Sequence, residues 1–438
     1  MAIILKGGLL IDGSGREPVP DATIVLDKGV IARVETARKV VPQSDDTVID
    51  AQGRTLMPGL IDAHTHLGYH SRQPDVWTQE LKESVELNTL YAAANARAIL
   101  HCGFTAIGDG GCRGFLSSAV RDAVANGTIE GPRVRAAGAI ICGEAGLLDN
   151  TPPWSEARTH ASLGMMVTGT DEVRRAVRRQ VKGGVDWIKV AASGVAGSSW
   201  SSAETDDLSY EELHAAVVEA RKYRRPVHAH AHSVGGIKAA IRAGAISIHS
   251  AEYADDEAIE EMRKAGVYFS PTIAWLHARC MPQFGAPTDP EFRAEAWSAF
   301  EASRRMLTQG KSLGEVLALG TDAAHRFPHV PDGVIEMQYF VALGFTPMQA
   351  IVAATKNAAA AIGCAESLGQ LQTGRMADVL MVEGNPAEDI SILRNKRNIV
   401  RMWKGGVEVA LPKERGRVGV DFDPALWLRR DFEQLSAA

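Results

Sequence analysis

No Cys-x-x-Cys pair occurs in this 438-residue chain, and its five cysteines, Cys102, Cys112, Cys142, Cys280 and Cys364, are odd in number and scattered. That pattern argues against a disulfide framework or a thiolate zinc cluster and leaves buried free thiols as the expectation. Basic runs are missing as well, and the net charge is −6, so neither nucleic acid nor an anionic membrane is an expected partner. No apolar run approaches the roughly 20 residues of a membrane-spanning helix. The opening Met1-Ala2-Ile3-Ile4-Leu5-Lys6-Gly7-Gly8 has no basic leader and only a short apolar piece, which makes cytoplasmic residence the expectation. Internal repeats and low-complexity blocks are absent too.

What remains is an ordinary globular composition, 45% hydrophobic and 23% charged. The length suits one large α/β barrel with an accessory domain. Residues 1–57 read as short strands broken by Gly-rich turns, too few to bury a good core alone. Ala377 to Val382 and Ile399 to Gly406 have the same texture near the other end. A small β-sandwich built from 1–57 and 366–411 is therefore expected, with 412–438 as a C-terminal tail. Between them, over 58–365, strands and helices alternate in the manner of a (β/α)8 TIM barrel. Val173, Val177 and Val181 fall at helical spacing, Ser209 and Glu212 form a capping box, and Thr346, Pro347 and Gln349 form another with Pro at its first helical position. Val316 to Asp322 is the expected last strand. Barrel chemistry sits at the C-terminal strand ends, and every candidate ligand falls at one.

The stretch around which these candidates gather is Met57-Pro58-Gly59-Leu60-Ile61-Asp62-Ala63-His64-Thr65-His66. Residues two apart on a strand share a face, so an extended Leu60 to His66 presents two imidazoles side by side. His230, His249 and Asp322 complete a nitrogen-plus-carboxylate set of the kind that holds zinc, manganese, cobalt or iron. A cation with an open position would bring the pKa of its water toward neutrality, making hydroxide available for attack on a carbonyl. Asp322, in Gly320-Thr321-Asp322-Ala323, can touch that cation and serve as general base, or simply cap a helix. Lys189 lies in a strand with Val185 and Trp187 on its own face, where an unpaired ammonium is costly. An ion-paired lysine and a carbamate made from the neutral amine are equally acceptable on physical grounds.

With these residues in view, the chain resembles the amidohydrolase superfamily. It is most similar to the imidazolonepropionase-like branch that includes metal-dependent Xaa-Pro-type dipeptidases, ochratoxin-cleaving amidases and phenylurea-type hydrolases. The resemblance runs from the Pro58 to His66 motif to Gly374-Arg375-Met376-Ala377-Asp378. It implies a two-metal centre, with zinc the expected ion: His64 and His66 on one metal, His230 and His249 on the other, N6-carboxylated Lys189 as bridge, and Asp322 as ligand and base. His232 would then support a ligand from behind or face and bind the substrate. The implied reaction is hydrolysis of a C–N bond of a small molecule, of amide, carbamate or urea type. Apolar residues on exposed barrel helices make a homo-oligomer the expectation.

Two departures from the family pattern stand out. The branch usually reads Ser-Ile-Glu-His-Gly where this chain has Ser247-Ile248-His249-Ser250-Ala251, so either a bulge turns His249 onto the ligand face or that position is not a ligand. His228 shares the strand face of His230 and His232 and is a weaker substitute. Dipeptidase-like relatives also tend to carry a Gly-Gly-His where this chain has Cys142-Gly143-Glu144, which argues against a dipeptide substrate. Trp154, Trp200 and Trp275 can wall an apolar pocket or pack in the core, and His325, Arg326 and His329 can bind a carboxylate or stay solvated. A deaminase or cyclic-amide hydrolase acting on a heterocycle is the alternative enzyme, though Lys189 argues against it. A scaffold protein that kept the fold is the non-enzymatic one.

Overall fold

The computed structural model describes residues 1–36, 40–70, 76–149, 154, 162–195, 201–280, 290–309, 311–323 and 333–413. Five strands come first: β1 (Ile3–Leu10), β2 (Val19–Asp27), β3 (Val30–Thr36), β4 (Thr47–Asp50) and β5 (Arg54–Pro58). Then follow β6 (Leu60–Thr65), α1 (Val76–Lys82), α2 (Val85–His101), β7 (Phe104–Asp109), α3 (Leu116–Ala125), β8 (Arg133–Ala136), β9 (Ile140–Gly143) and β10 (Gly164–Val167). Next come α4 (Thr170–Lys182), β11 (Ile188–Ala191), α5 (Tyr210–Lys222), β12 (Val227–Ala231), α6 (Val234–Ala243), β13 (Ser247–Ser250), α7 (Asp256–Ala265) and β14 (Tyr268–Ser270). Helices α8 (Ile273–Cys280), α9 (Pro290–Gln309), α10 (Val334–Ala342), α11 (Pro347–Val352) and α12 (Ala358–Ala361) lead to β15 (Val379–Glu383), β16 (Ile399–Lys404) and β17 (Val407–Glu408).

Both chain ends share one sheet, ordered β17-β16-β15-β5-β1-β2-β3, with β4 beside β1. Strand β15 runs antiparallel to β5, from Val379 opposite Pro58 to Glu383 opposite Arg54. The first half of β1 pairs with β4 and Leu9 and Leu10 pair with β5, so the strand serves two neighbours in turn. Leu5, Ile24, Leu56, Val379 and Trp403 pack into a core of their own on this sheet.

The central part is α/β with parallel sheets, β10-β9-β11-β12-β13-β14 and β6-β7-β8. Strands β6, β7, β11 and β13 are buried on both faces, which their composition reflects. Ile188, Val190, Val227, Ala229, Ile248 and Phe269 join Ala216, Ala240 and Ala258 of the helices in the main core. The alternate residues face the other way, where ladder pairing aligns Lys189 with His228 and Ser247, and Ala191 with His230, His249 and Ser270. Both capping boxes form where their spacing predicts them, at Ser209 with Glu212 and at Thr346 with Gln349.

Val316 to Asp322, expected as the last strand, is not a regular one. It makes isolated parallel bridges, Leu317 with Phe269 on β14 and Ala323 with Thr65 on β6, supported by Ala318 N to Phe269 O (2.9 Å) and Ala63 N to Leu319 O (2.8 Å). Close packing explains the interruption. A Cβ on Gly320 would stand 2.6 Å from the Ser270 side chain and 2.8 Å from the His64 Cβ, so this backbone follows its neighbours rather than an ideal pleat. No described helix is long and apolar enough to cross a membrane.

Candidate metal centre

Strand β6 and the residue that follows it deliver His64 and His66 to the C-terminal end of the parallel sheets, with ring centroids 5.2 Å apart. Gly110 makes room for the first ring, since a Cβ there would meet His64 Cδ2 at 2.4 Å. His66 Nδ1 donates to the Gly111 carbonyl at 2.8 Å, which fixes the ring and directs Nε2 at Asp322 Oδ1, 3.1 Å away. His64 Nε2 lies 3.6 Å from the same oxygen.

A neutral imidazole would set a lone pair against a carboxylate at that point, so the contact calls for a proton or a cation between them. Burial works against the His66 imidazolium, but the hydrogen bond and charge of Asp322 outweigh it and raise its pKa. His64, by contrast, is kept neutral by burial and by the nearby Lys189.

Asp322 is held in place by a buried clamp. Asp62, two residues before His64, accepts Thr321 Oγ1 at 2.6 Å, Thr321 N at 3.2 Å and His64 N at 3.1 Å. Asp322 N donates to the His64 carbonyl at 2.8 Å. The clamp sustains a left-handed backbone at Asp322, φ 55°, a conformation that costs a non-glycine residue about 1–2 kcal/mol.

Lys189 enters from β11, buried, with Nζ donating to Nδ1 of His249. Burial brings its pKa down to about 7, with Asp322 and Asp109 pulling the other way, so the neutral amine is accessible near neutral pH. The His249 ring lies 4.0 Å from that of His64. It reaches this position without the expected bulge: the β12–β13 ladder is regular, His230 opposite His249, and the irregularity comes at the end of the strand, at Ser250 (φ 94°) and the following Ala251 (φ 73°). In register with His230, His249 is already on the inward face, so no extra residue is needed to turn it.

The remaining histidines split by depth. His230 packs against His232 at 4.3 Å, whereas His228 lies a layer lower, tilted at 44° against Trp187 with centroids 3.8 Å apart, and 5.5 Å from His249. Burial keeps His228, His230 and His249 neutral. Among the described residues His64 Nδ1, His230 Nε2, His232 Nε2, His249 Nε2 and both nitrogens of His228 are buried without a hydrogen-bond partner. Each such atom costs about 1–3 kcal/mol unless something binds it.

This donor set fits a cation. His64, His66 and Asp322 bring one ligand atom each within 4.8 Å of one another, while Lys189 adjoins His249, whose ring lies beside that of His64, and His230 stands with His232.

Other expected residues fall elsewhere. Trp154 is exposed, and Trp275 is buried on α8 under the Arg279 guanidinium, 4.4 Å from its ring. Trp200, His325, Arg326 and His329 lie outside the described residues. Cys112, Cys142 and Cys364 are free thiols. Sequence reasoning passed over Asp62 and Glu252. Asp62 shares the strand face of His64, a parity signal open to view, whereas Glu252, which accepts from His232 Nδ1, has no local signal.

The amidohydrolase family model matches residues 55–409. An ochratoxinase of Aspergillus niger is 34% identical over 92% of this chain and 85% of its own length. The crystal structure of A. niger ochratoxinase superimposes with a TM-score of 0.83 at 31% identity, covering 97% of this chain and 99% of that one. A crystal structure of a Xaa-Pro dipeptidase gives 0.83 at 30% identity, covering 93% and 100%. This chain belongs to the amidohydrolase family.

Proposed function

We propose that this enzyme hydrolyses the C–N bond of a small amide, carbamate or urea, using two divalent cations with zinc foremost. The observation that carries the reading is the convergence of His64, His66 and Asp322 within 4.8 Å at the strand ends. His64 and His66 would hold one cation and His230 and His249 the other, with Asp322 as a further ligand. Lys189 would bridge them after its neutral amine adds carbon dioxide and releases a proton, which leaves a carbamate anion. The low Lys189 pKa and its place beside His249 support this role. When bound, the cations supply ionised water at neutral pH and polarise the carbonyl. Asp322 takes the proton of the attacking water and returns it to the leaving nitrogen, while His232 faces the substrate.

The names of the similar proteins support amides as the first class to try. The test is a hydrolysis screen over N-acyl amino acids, aryl amides, carbamates, phenylureas and dipeptides, on protein of measured metal content. Chelation should abolish the activity found and metal add-back restore it, and Asp322→Asn should be inactive. Activity that survives both removes the mechanism.

The architecture belongs to the same proposal. The bridges at Leu317 and Ala323 support closure of 58–365 into an eight-stranded barrel with the stretch from Val316 as its last position. The two-neighbour pairing of β1 supports a sheet folded into a sandwich from 1–57 and 366–411. Exposed Leu87 and Leu90 on α2 favour a homo-oligomer, which light scattering would test.

A further inference from the structure

One buried carboxylate–imidazole pair, His232 with Glu252, lies beside this centre. His232 follows β12 and Glu252 follows β13, and they are 2% and 1% exposed. His232 Nδ1 donates to Glu252 Oε2. The backbone around the imidazole is clamped as well: His232 N donates to Ser193 Oγ at 2.7 Å, and its carbonyl accepts from Tyr253 N at 3.3 Å. Two successive left-handed residues, Ser250 and Ala251, turn the chain after His249 and bring Glu252 to the His232 ring.

That ring stands at 83° to the ring of His230, and its Nε2 has no partner among the described residues. A fully buried ionisable pair gives little over apolar packing of the same volume, so stability alone does not account for it. Engaging Nδ1 fixes both the tautomer and the ring direction, and leaves Nε2 as the one atom through which the imidazole meets a third group.

We propose that Glu252 is a positioning residue that holds His232 with Nε2 directed at a polar atom of the scissile C–N unit of the substrate. This rests on the hydrolytic reading of the centre. Glu252 touches neither cation nor substrate and acts only through His232.

The experiment is a double-mutant cycle of Glu252→Gln, His232→Ala and the pair, each with measured metal content, kcat and KM. It is joined by imidazole spectra of metal-free protein labelled with 15N-histidine. Either single change is expected to lower kcat roughly 10–100-fold at unchanged metal content, and the double variant to lose no more than His232→Ala. The metal-free spectrum should show an Nδ1–H imidazole that disappears in His232→Ala and shifts in Glu252→Gln. Glu252→Asp, which keeps the charge, should retain more kcat than Glu252→Gln. Losses that multiply in the double variant, metal lost with Glu252→Gln, an Nδ1–H signal indifferent to Glu252, or Glu252→Asp no better than Glu252→Gln each overturn the proposal. Full activity of His232→Ala overturns it too. Activity indifferent to chelation overturns the hydrolytic reading instead, and the metal-free spectra then still decide whether Glu252 holds the ring.

Discussion

The Thr321 hydroxyl donates to the Asp62 carboxylate at 2.6 Å, joining the strand that carries His64 and His66 to the loop that carries Asp322. Burial raises the Asp62 pKa to about 7, and its bonds from Thr321 and His64 partly offset that. Thr321→Val removes the donor and leaves a buried carboxylate oxygen without it, at about 1–3 kcal/mol. The variant should melt lower and release metal to a chelator more readily, while Thr321→Ser stays near wild type. Equal metal retention in the valine and serine variants would show that the clamp does not set the position of Asp322.

The parts of this site that were legible in the sequence are those set by local periodicity. His64-Thr65-His66 announces a shared strand face, and Ser209 with Glu212 announces a helix start, because both patterns depend on neighbours within a few residues. The Asp62–Thr321 bond spans 259 positions, and no local pattern encodes it. His249 shows the opposite error. Counting from a family motif implied the wrong face, but strand register is fixed by the pairing of His230 with His249 across the ladder, which a single sequence does not display. The last expected strand departs from regularity for a related reason: Val316 to Leu319 is apolar enough for a strand, yet Gly320 is packed against Ser270 and His64, and Asp322 N is bonded to the His64 carbonyl.

Glu336 offers a pH prediction away from the centre. Its buried carboxyl accepts Ile273 N and Ala274 N, both at 2.9 Å, at the start of α8, and burial pushes its pKa up to about 8 despite those bonds. The folded chain therefore keeps this proton across a range in which the unfolded chain, with an ordinary glutamate near 4.5, has lost it. Stability from this group is full below about pH 4.5 and falls as pH rises toward 8, at up to about 1.4 kcal/mol per unit. Glu336→Gln is neutral throughout. Its melting temperature should lie near or below wild type at pH 5, gain on it up to about pH 8 and level off above that. A gap that stays constant with pH would mean the carboxylate is stabilised as an anion by the helix start.

Lys189 yields a prediction about assembly of the centre. Carbamate formation needs the neutral amine, whose fraction rises with pH through about 7. Reconstitution of metal-free protein should therefore require bicarbonate or carbon dioxide and proceed faster at pH 8 than at pH 6. Lys189→Ala should lose more than about 100-fold in activity, exceeding what an outer partner costs, and short carboxylic acids should restore part of it by supplying the missing anion. Full metal loading without carbon dioxide, together with no rescue, would leave Lys189 as an ion-pairing amine.

Gly110 tests how closely the ring of His64 is fitted. Its φ is not in the left-handed region, so alanine meets no backbone penalty there, and the whole effect comes from a Cβ placed 2.4 Å from His64 Cδ2 and 2.8 Å from Nε2. The ring cannot yield toward Gly320, because a Cβ built there already approaches the His64 Cβ at 2.8 Å and the backbone carbonyl of His64 is bonded to Asp322 N. Overpacking of this kind costs about 1–3 kcal/mol. Gly110→Ala should accordingly fold with a lowered melting temperature and bind metal more weakly, with the larger loss in metal affinity, since the displaced atom is the nitrogen that faces Asp322. Isothermal titration of the metal-free variant reads this directly; wild-type affinity would mean that the loop after β7 moves and leaves the imidazole where it is.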